Sequence, residues 1–485
     1  MGGALVGLAS INYIVTPMMD DLGLTSQEGS LVLAVPWVAS LLIVFLAGRL
    51  GDRLGHRRII TWMSIAFMAG SAIFAVAQGF TAVMVGLLIE GVASTALQIV
   101  VFGLLSQRFS EPKARAAAFG IFGMASPFIW MCFPVLAGWI VGESSWRWVA
   151  AVWVLAGFLI FLAARFMLPR DASTSPLGEI WTPIFAGATV ASATQALTRV
   201  REDGLTAPTT LAAIAATAAF GIACAILLRR LSAPTFTVQP MRVKRTRSLL
   251  GVVIIIPLIN TVFLMTIAFQ YLYGLTALQT AIVMVPAQAA AVLGTRLVAG
   301  PLMRKLGVTS AATIFFALLA VTMLCAFFVT TDSPLWVPIL YVTAYNALTV
   351  AASITVTSGL LASDPATETG FLSAYRGSGV ALGGTLAVVL MNTAVFNAGQ
   401  FFMADEFEAN GLSQADAASL SAQIQADATS PDVMSQYAVP LPSGVETNAV
   451  MMDSIAAGLH VNGVLGAILA IVCILLVRAD RRVRA

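Results

Sequence analysis

Of the 485 residues, 59% are hydrophobic and only 10% carry a charge, and the mean hydropathy is +0.91. Soluble domains hold about 25% charged and about 45–50% apolar residues, because a folded surface must be solvated. The composition therefore excludes a soluble globular protein and disfavours a nucleic-acid binder or a secreted disulfide scaffold. With 26 basic and 23 acidic residues the net charge is +3, so charge is informative only when resolved by position.

A helix needs about 20 mostly apolar residues to cross a bilayer core of roughly 30 Å. Polar punctuation divides the chain into fourteen such stretches, near 2–19, 30–49, 59–77, 81–104, 117–141, 148–168, 180–198, 209–229, 248–272, 277–300, 308–330, 335–361, 372–397 and 453–477. These runs are about twice the length of a barrel strand and do not alternate, which rules out a β-barrel. The expected fold class is an all-α polytopic membrane protein. The first segment lacks the basic flank of a signal peptide and reads as a span; it is short before Pro17, which leaves room for a basic segment ahead of it. The stretch near 180–198, rich in Ala, Thr and Ser, is the weakest of the fourteen. Cys132, Cys224, Cys325 and Cys473 sit singly within apolar runs, without metal-ligand spacing, and read as inert thiols.

Along the chain, span one carries Asn12 near mid-depth. Between spans two and three lies Gly48-Arg-Leu-Gly-Asp-Arg-Leu-Gly-His-Arg-Arg58. Gly48 allows close helix approach, Asp52 sets a carboxylate among Arg53, Arg57 and Arg58, and Gly55 permits the tight turn into span three. His56 reads as a solvated loop residue. Span four holds Glu90, the only acid placed deep in a span, about 13 Å from its outer end at 1.5 Å per residue. A carboxylate at that depth is costly and marks a functional site by default, so Glu90 is the candidate for proton or cation handling, with a protonated interhelical glutamate as the alternative. Span five contributes Trp130, Pro134 and Gly138; span nine Asn260; span twelve Asn346. After span ten comes a degenerate copy of the loop motif, Gly300-Pro-Leu-Met-Arg-Lys-Leu-Gly307, as expected of a chain built from repeats. Span thirteen carries Arg376 and the close-packing face Gly379-Val-Ala-Leu-Gly383. Residues 398–452 form a polar segment with seven acids and no lysine or arginine, in which Ser413–Ala426 reads as a short surface helix. It reads as a solvated loop, or alternatively as a lid or docking surface. His460 of span fourteen reads as an interhelical hydrogen-bonder.

Orientation follows from the cations. With the N-terminus inside, 21 of the 26 basic residues fall on the cytoplasmic side; Arg147, Arg199 and Arg201 fall outside, and Arg296 and Arg376 within spans. This is the positive-inside pattern. It implies an even number of spans in the cytoplasmic membrane, with both termini cytoplasmic.

The motif at Gly48–Arg58 resembles the loop signature of the major facilitator superfamily. The fourteen spans, the segment Gln270-Tyr-Leu-Tyr-Gly-Leu-Thr-Ala-Leu and the segment Tyr375-Arg-Gly-Ser-Gly-Val-Ala-Leu-Gly-Gly384 are similar to its 14-spanner drug–proton antiporter branch. The resemblance implies a six-helix bundle over 1–170, two inserted helices and a linker over 171–247, and a second six-helix bundle over 248–485 that includes the long outer loop. It also implies that spans one, four, nine and twelve line a central cavity, which would gather Asn12, Glu90, Asn260 and Asn346 with Trp130 as an aromatic wall. Arg376 would meet Asp52 when the cytoplasmic side closes, with span thirteen beside span two. Departures from the branch are specific: Leu8 stands where it carries an aspartate, Leu87 where it carries an arginine, and its span-five motif keeps only Pro134 and Gly138. Two of the usual coupling residues are thus missing.

The function implied is secondary active export of amphipathic or hydrophobic small molecules, coupled to proton antiport. The alternative is export of an endogenous metabolite or lipid, or import, with weak or different coupling. Expected partners are the small-molecule substrate, protons and the lipid bilayer, with no nucleic acid, and the chain is expected to act as a monomer. No phosphate-binding loop, metal-ligand cluster or nucleophile triad is visible, so neither an enzyme nor a cofactor is expected. A sensor or scaffold would rest on the acidic outer loop instead.

Overall fold

The computed structural model of the chain describes residues 5–24, 26–109, 112–169, 179–202, 204–231, 238–363, 369–427 and 441–479. Within them the chain is helical, without a β-strand. In lipid each backbone N–H and C=O must find a partner inside its own segment, which the helix alone provides to an isolated span. The helices are α1 (Val6–Leu22), α2 (Ser26–Leu54), α3 (His56–Ala75), α4 (Phe80–Arg108), α5 (Pro112–Glu143), α6 (Trp146–Met167), α7 (Trp181–Glu202) and α8 (Pro208–Arg230). They continue as α9 (Lys244–Ile255), α10 (Val262–Tyr271), α11 (Ala277–Val283), α12 (Val285–Gly294), α13 (Gly300–Leu324), α14 (Trp336–Leu361), α15 (Thr369–Leu386), α16 (Thr393–Ala409), α17 (Gln414–Asp427) and α18 (Thr447–Arg478).

Eleven segments among the described residues are long and apolar enough to cross a membrane. One of them, Leu278–Phe328, is 51 residues long and is interrupted at Gly307, whose φ of 76° and ψ of 165° lie outside the helical region. α1, with 17 residues, and α7, the stretch expected to be weakest, are helical but not among the eleven. Large apolar side chains such as Phe166, Phe328 and Phe401 are exposed, as expected of a surface solvated by lipid rather than water.

One apolar core joins α1, α3, α4 and α6, with Phe67, Phe74, Leu87 and Trp153 at its centre. Phe74 stacks on Trp153 at 5.1 Å, and the Trp153 indole donates to Ser10 Oγ at 2.9 Å, fixing α1 against α6. α3 and α4 approach backbone to backbone: a Cβ on Gly70 would lie 2.8 Å from the Gly86 carbonyl oxygen, and one on Gly86 would lie 2.9 Å from the Gly70 carbonyl oxygen. A second core joins α9, α13, α14 and α18. Between the two, α2 packs on α15 and α5 on α12, while α7 and α8 pair with each other and α7 leans on α2.

Candidate functional site

Glu90 lies in α4 at 1% exposure. A Cβ built on Gly7 of α1 would stand 2.6 Å from its Oε1 and 3.2 Å from its Cδ, so the carboxyl group fills the space that the missing side chain leaves. Oε1 has no hydrogen-bond partner among the described residues. On either side, Gly91 meets Pro36 of α2, and Gly70 of α3 meets the backbone N–H of Glu90. Four helices thus close on one acid. An uncompensated carboxylate in such a setting costs several kcal/mol. Leu87, at the place of the family arginine, is fully buried in the same core.

The amides take separate places. Asn346 of α14 is buried and donates to the Ala287 carbonyl oxygen of α12 at 3.0 Å. Asn260 lies in a break of span nine: α9 passes into a 3₁₀ turn at Ile256–Leu258, the helix stops, and α10 begins at Val262. Asn260 Oδ1 accepts from the Val262 N–H at 3.0 Å, an Asx-type turn just ahead of the restart. The freed Ile259 carbonyl is taken by the Tyr345 hydroxyl at 2.5 Å, and Thr261 Oγ1 pairs with the Tyr341 hydroxyl at 3.3 Å. Trp130 is half-buried in a small cluster with Leu5, Leu8 and Ala9. The side chain of Asn12 lies outside the described residues.

The loop motif is built as its glycines suggest. Gly55 has φ 95° and ψ 136° between α2 and α3, and Gly307 repeats this at the second copy with φ 76°. Arg57 donates to the carbonyl oxygens of Ala164 and Arg165 at 3.2 and 2.6 Å, capping the end of α6. Arg58 lies over the Trp62 ring at 5.5 Å. His56 departs from its expected solvated role: it is 6% exposed, with Nε2 3.7 Å from Asp52 Oδ1. A Cβ on Gly103 of α4 would lie 2.7 Å from Nε2, so the imidazole occupies a notch at that glycine. Arg376 Nε donates to Thr357 Oγ1 of α14 at 2.8 Å. α15 lies beside α2, with Tyr375 edge-on to Phe45 at 5.4 Å, yet the Gly379 and Gly383 face packs on Ile254 and Pro257 of span nine rather than on α2. Pro134 is buried, and a Cβ on Gly138 would lie 3.8 Å from Leu278 of α11.

A cleft of about 520 Å³ lies elsewhere, between α10, α16 and α18, lined by Phe263, Gln270, Phe396, Gln400, Ser454 and neighbouring apolar residues and touched by Ile424 of α17. None of Asn12, Glu90, Trp130, Asn260 and Asn346 lines it. The outer segment that reads as a solvated loop is in part a packed cap. α16 continues to Ala409, and α17 forms where the short surface helix is expected. Ile424 and Ala417, both 1% exposed, join Met403, Phe407, Leu441 and Met451 in a core of their own. Ser443 ties the ends of this cap through Asn410, 2.8 Å to the side chain and 3.2 Å to the backbone.

Three features escape a reading by motif. Asn462 of α18 is 1% exposed, with both amide atoms unpartnered among the described residues; a lone asparagine in an apolar run was its only signal. The tyrosines of α14 that hold the break had none beyond Pro257 ahead of Asn260. Gln400 lies near a span end, where amides are ordinary, and Gln270 entered only as the first residue of the segment similar to the antiporter branch, with no role of its own.

A family model described as Major Facilitator Superfamily matches residues 2–388. The uncharacterized MFS-type transporter YhcA of Bacillus subtilis is 24% identical over 290 residues, which cover 58% of this chain and 54% of YhcA. The multidrug transporter protein MdtP of the same organism is 24% identical over 314 residues, covering 64% and 56%. The chain thus spans only about half the length of these relatives. The crystal structure of the human organic anion transporter MFSD10 superimposes with a TM-score of 0.58 at 13% identity, over 98% of this chain and 97% of that one. Sequence match, helical architecture and overall superposition agree: the chain belongs to the Major Facilitator Superfamily, and its described residues include helices long and apolar enough to cross a membrane many times.

Proposed function

We propose that this chain exports amphipathic or hydrophobic small molecules across the cytoplasmic membrane by alternating access coupled to proton antiport. In this reading the eleven long segments become fourteen spans, since Leu278–Phe328 turns at Gly307 into two and α1 and α7 also cross. Two six-helix bundles, 1–170 and 248–485, flank the inserted pair, and both termini are cytoplasmic. The multidrug transporter MdtP among the relatives supports the substrate class.

The observation that carries the coupling is Glu90, buried at 1% exposure against Gly7 with Oε1 unpartnered. An acid in this setting binds a proton in the closed packing and releases it when α1 and α4 part and water enters. The experiment is a vesicle assay with the purified chain: an imposed pH gradient drives movement of a fluorescent amphipathic cation, and Glu90→Gln abolishes that response. Full gradient-driven transport by the variant would remove Glu90 from the coupling step. A second reading, transport with weak coupling, is favoured by Leu87, apolar and fully buried where the family carries an arginine. It is separated by substrate exchange without a gradient, which it leaves equally fast.

A further inference from the structure

We infer that the cleft between α10, α16 and α18 is a binding site in its own right for an uncharged aromatic amphipath of drug size. Its volume of about 520 Å³ falls in the range of small-molecule sites, roughly 300–1,000 Å³. Phe263 and Phe396 meet edge-on at 6.5 Å and form an aromatic wall. Gln270 and Gln400 line the cleft, and an amide both donates and accepts. The Thr266 and Ser454 hydroxyls donate to the Val262 and Met451 carbonyls at 2.9 and 2.7 Å, so the two glutamine amides and the Tyr271 hydroxyl are the side-chain donors of the lining that can meet a polar group.

Among the described residues no charged side chain lines the cleft, so an ion entering it would lose its hydration without a counter-charge from them. The same absence disfavours a phospholipid headgroup, as do Asp405 and Glu408, exposed just beyond Met403 on α16, which repel phosphate. Gly458 and Leu459 form the floor of the cleft, and the buried amide of Asn462 lies one turn beyond them on α18, outside the lining. Above, Ile424 of α17 covers the cleft, held by the small core of the outer cap. The site shares no residue with the surroundings of Glu90 and does not depend on the transport reading.

Benzophenone, a neutral aromatic ketone whose carbonyl can accept from the glutamine amides, is the probe. The full chain, purified in detergent, is irradiated with it and the labelled peptides are mapped by mass spectrometry. Labels are expected in 263–271, 395–403 and 451–459. They should fall at least fivefold both in Thr266→Trp, which fills the cleft, and in the double variant Gln270→Leu, Gln400→Leu, which keeps its shape. Glu90→Gln should label as the unaltered chain does. Labels scattered over exposed apolar residues such as Phe166, or unchanged in both cleft variants, overturn the site; so does a co-purifying phospholipid that Thr266→Trp sheds and benzophenone does not displace. Loss of labelling in Glu90→Gln overturns its independence. Failed transport in vesicles with labelling intact would remove the exporter reading and leave this site standing.

Discussion

At Gly7 the absence of a side chain makes the space that the Glu90 carboxyl group fills. A Cβ there would stand 2.6 Å from Glu90 Oε1, so Gly7→Ala pushes the carboxyl out of its seat. Alanine is otherwise the better helix residue by roughly 0.5–1 kcal/mol. The expected outcome is a chain at least as stable to heat in detergent whose gradient-driven transport falls at least fivefold; undiminished transport would show that the contact plays no part. At the C-terminal end of α1, the guanidinium of Arg147 and then the indole of Trp146 hold the Asp21 carboxyl below the usual carboxylate range, the indole at 3.1 Å. Arg147 also donates to the Ala77 carbonyl at 2.8 Å, so the cluster ties together the ends of α1, α3 and α6. A depressed folded value means that the stabilisation is complete above the unfolded value of about 3.9 and fades as pH falls through the lower folded value. Melting curves of Asp21→Asn and the unaltered chain should therefore differ by a constant amount above about pH 5 and converge in stronger acid. Glu90 was legible because an acid deep in an apolar run has few neutral explanations. His56 was not, because the notch that buries it is made by Gly103, 47 residues away in sequence.

Among the elements, the interrupted span nine is the one whose continuity depends on another helix. Its free carbonyl at Ile259 is held by the Tyr345 hydroxyl of α14, and Gly383 of α15 packs on the Ile254 carbonyl just below. Tyr345→Phe removes the donor and leaves that carbonyl buried, which should destabilise the chain by about 1–3 kcal/mol, measured as a lowered midpoint of thermal unfolding; an unchanged midpoint would mean that another donor serves Ile259. Apolar run length located this span but not its break, since Pro257 and Asn260 are individually tolerated in membrane helices. The turns fared better. Gly55 and Gly307 occupy matching places in the two copies of the loop motif, and both adopt positive φ, where any other residue is strained by about 1–3 kcal/mol. The acidic segment shows the opposite case: its charges announced solvent, but the apolar face of α17, set by Ala417 and Ile424, could be assigned a partner only once Met403, Phe407 and Met451 were placed beneath it.

For the whole molecule, the two apolar cores are joined by a third, in which Val44 and Phe45 of α2, Ile99 of α4 and Ala374 and Tyr375 of α15 are buried together; if the two halves rock against each other as proposed, this seam has to open. The seam between α2 and α15 lies toward the Gly48–Arg58 loop. There a Cβ on Gly377 would lie 3.0 Å from Val44 Cγ2, and Phe45 meets Tyr375. Such an approach brings two Cβ atoms near the roughly 3.5–4.5 Å that a disulfide requires. The double variant Val44→Cys, Gly377→Cys should therefore cross-link under mild oxidation, in a Cys224→Ser background because Cys224 shares that cluster. If transport proceeds by opening this seam, the oxidised chain is locked: flux in vesicles falls to the protein-free level and returns on adding reductant. Benzophenone labelling of the α10–α16–α18 cleft should persist in the locked form, because none of its lining residues belongs to the cluster between α2 and α15. Full flux through a quantitatively cross-linked chain would instead place the moving parts elsewhere, within a half rather than between the two.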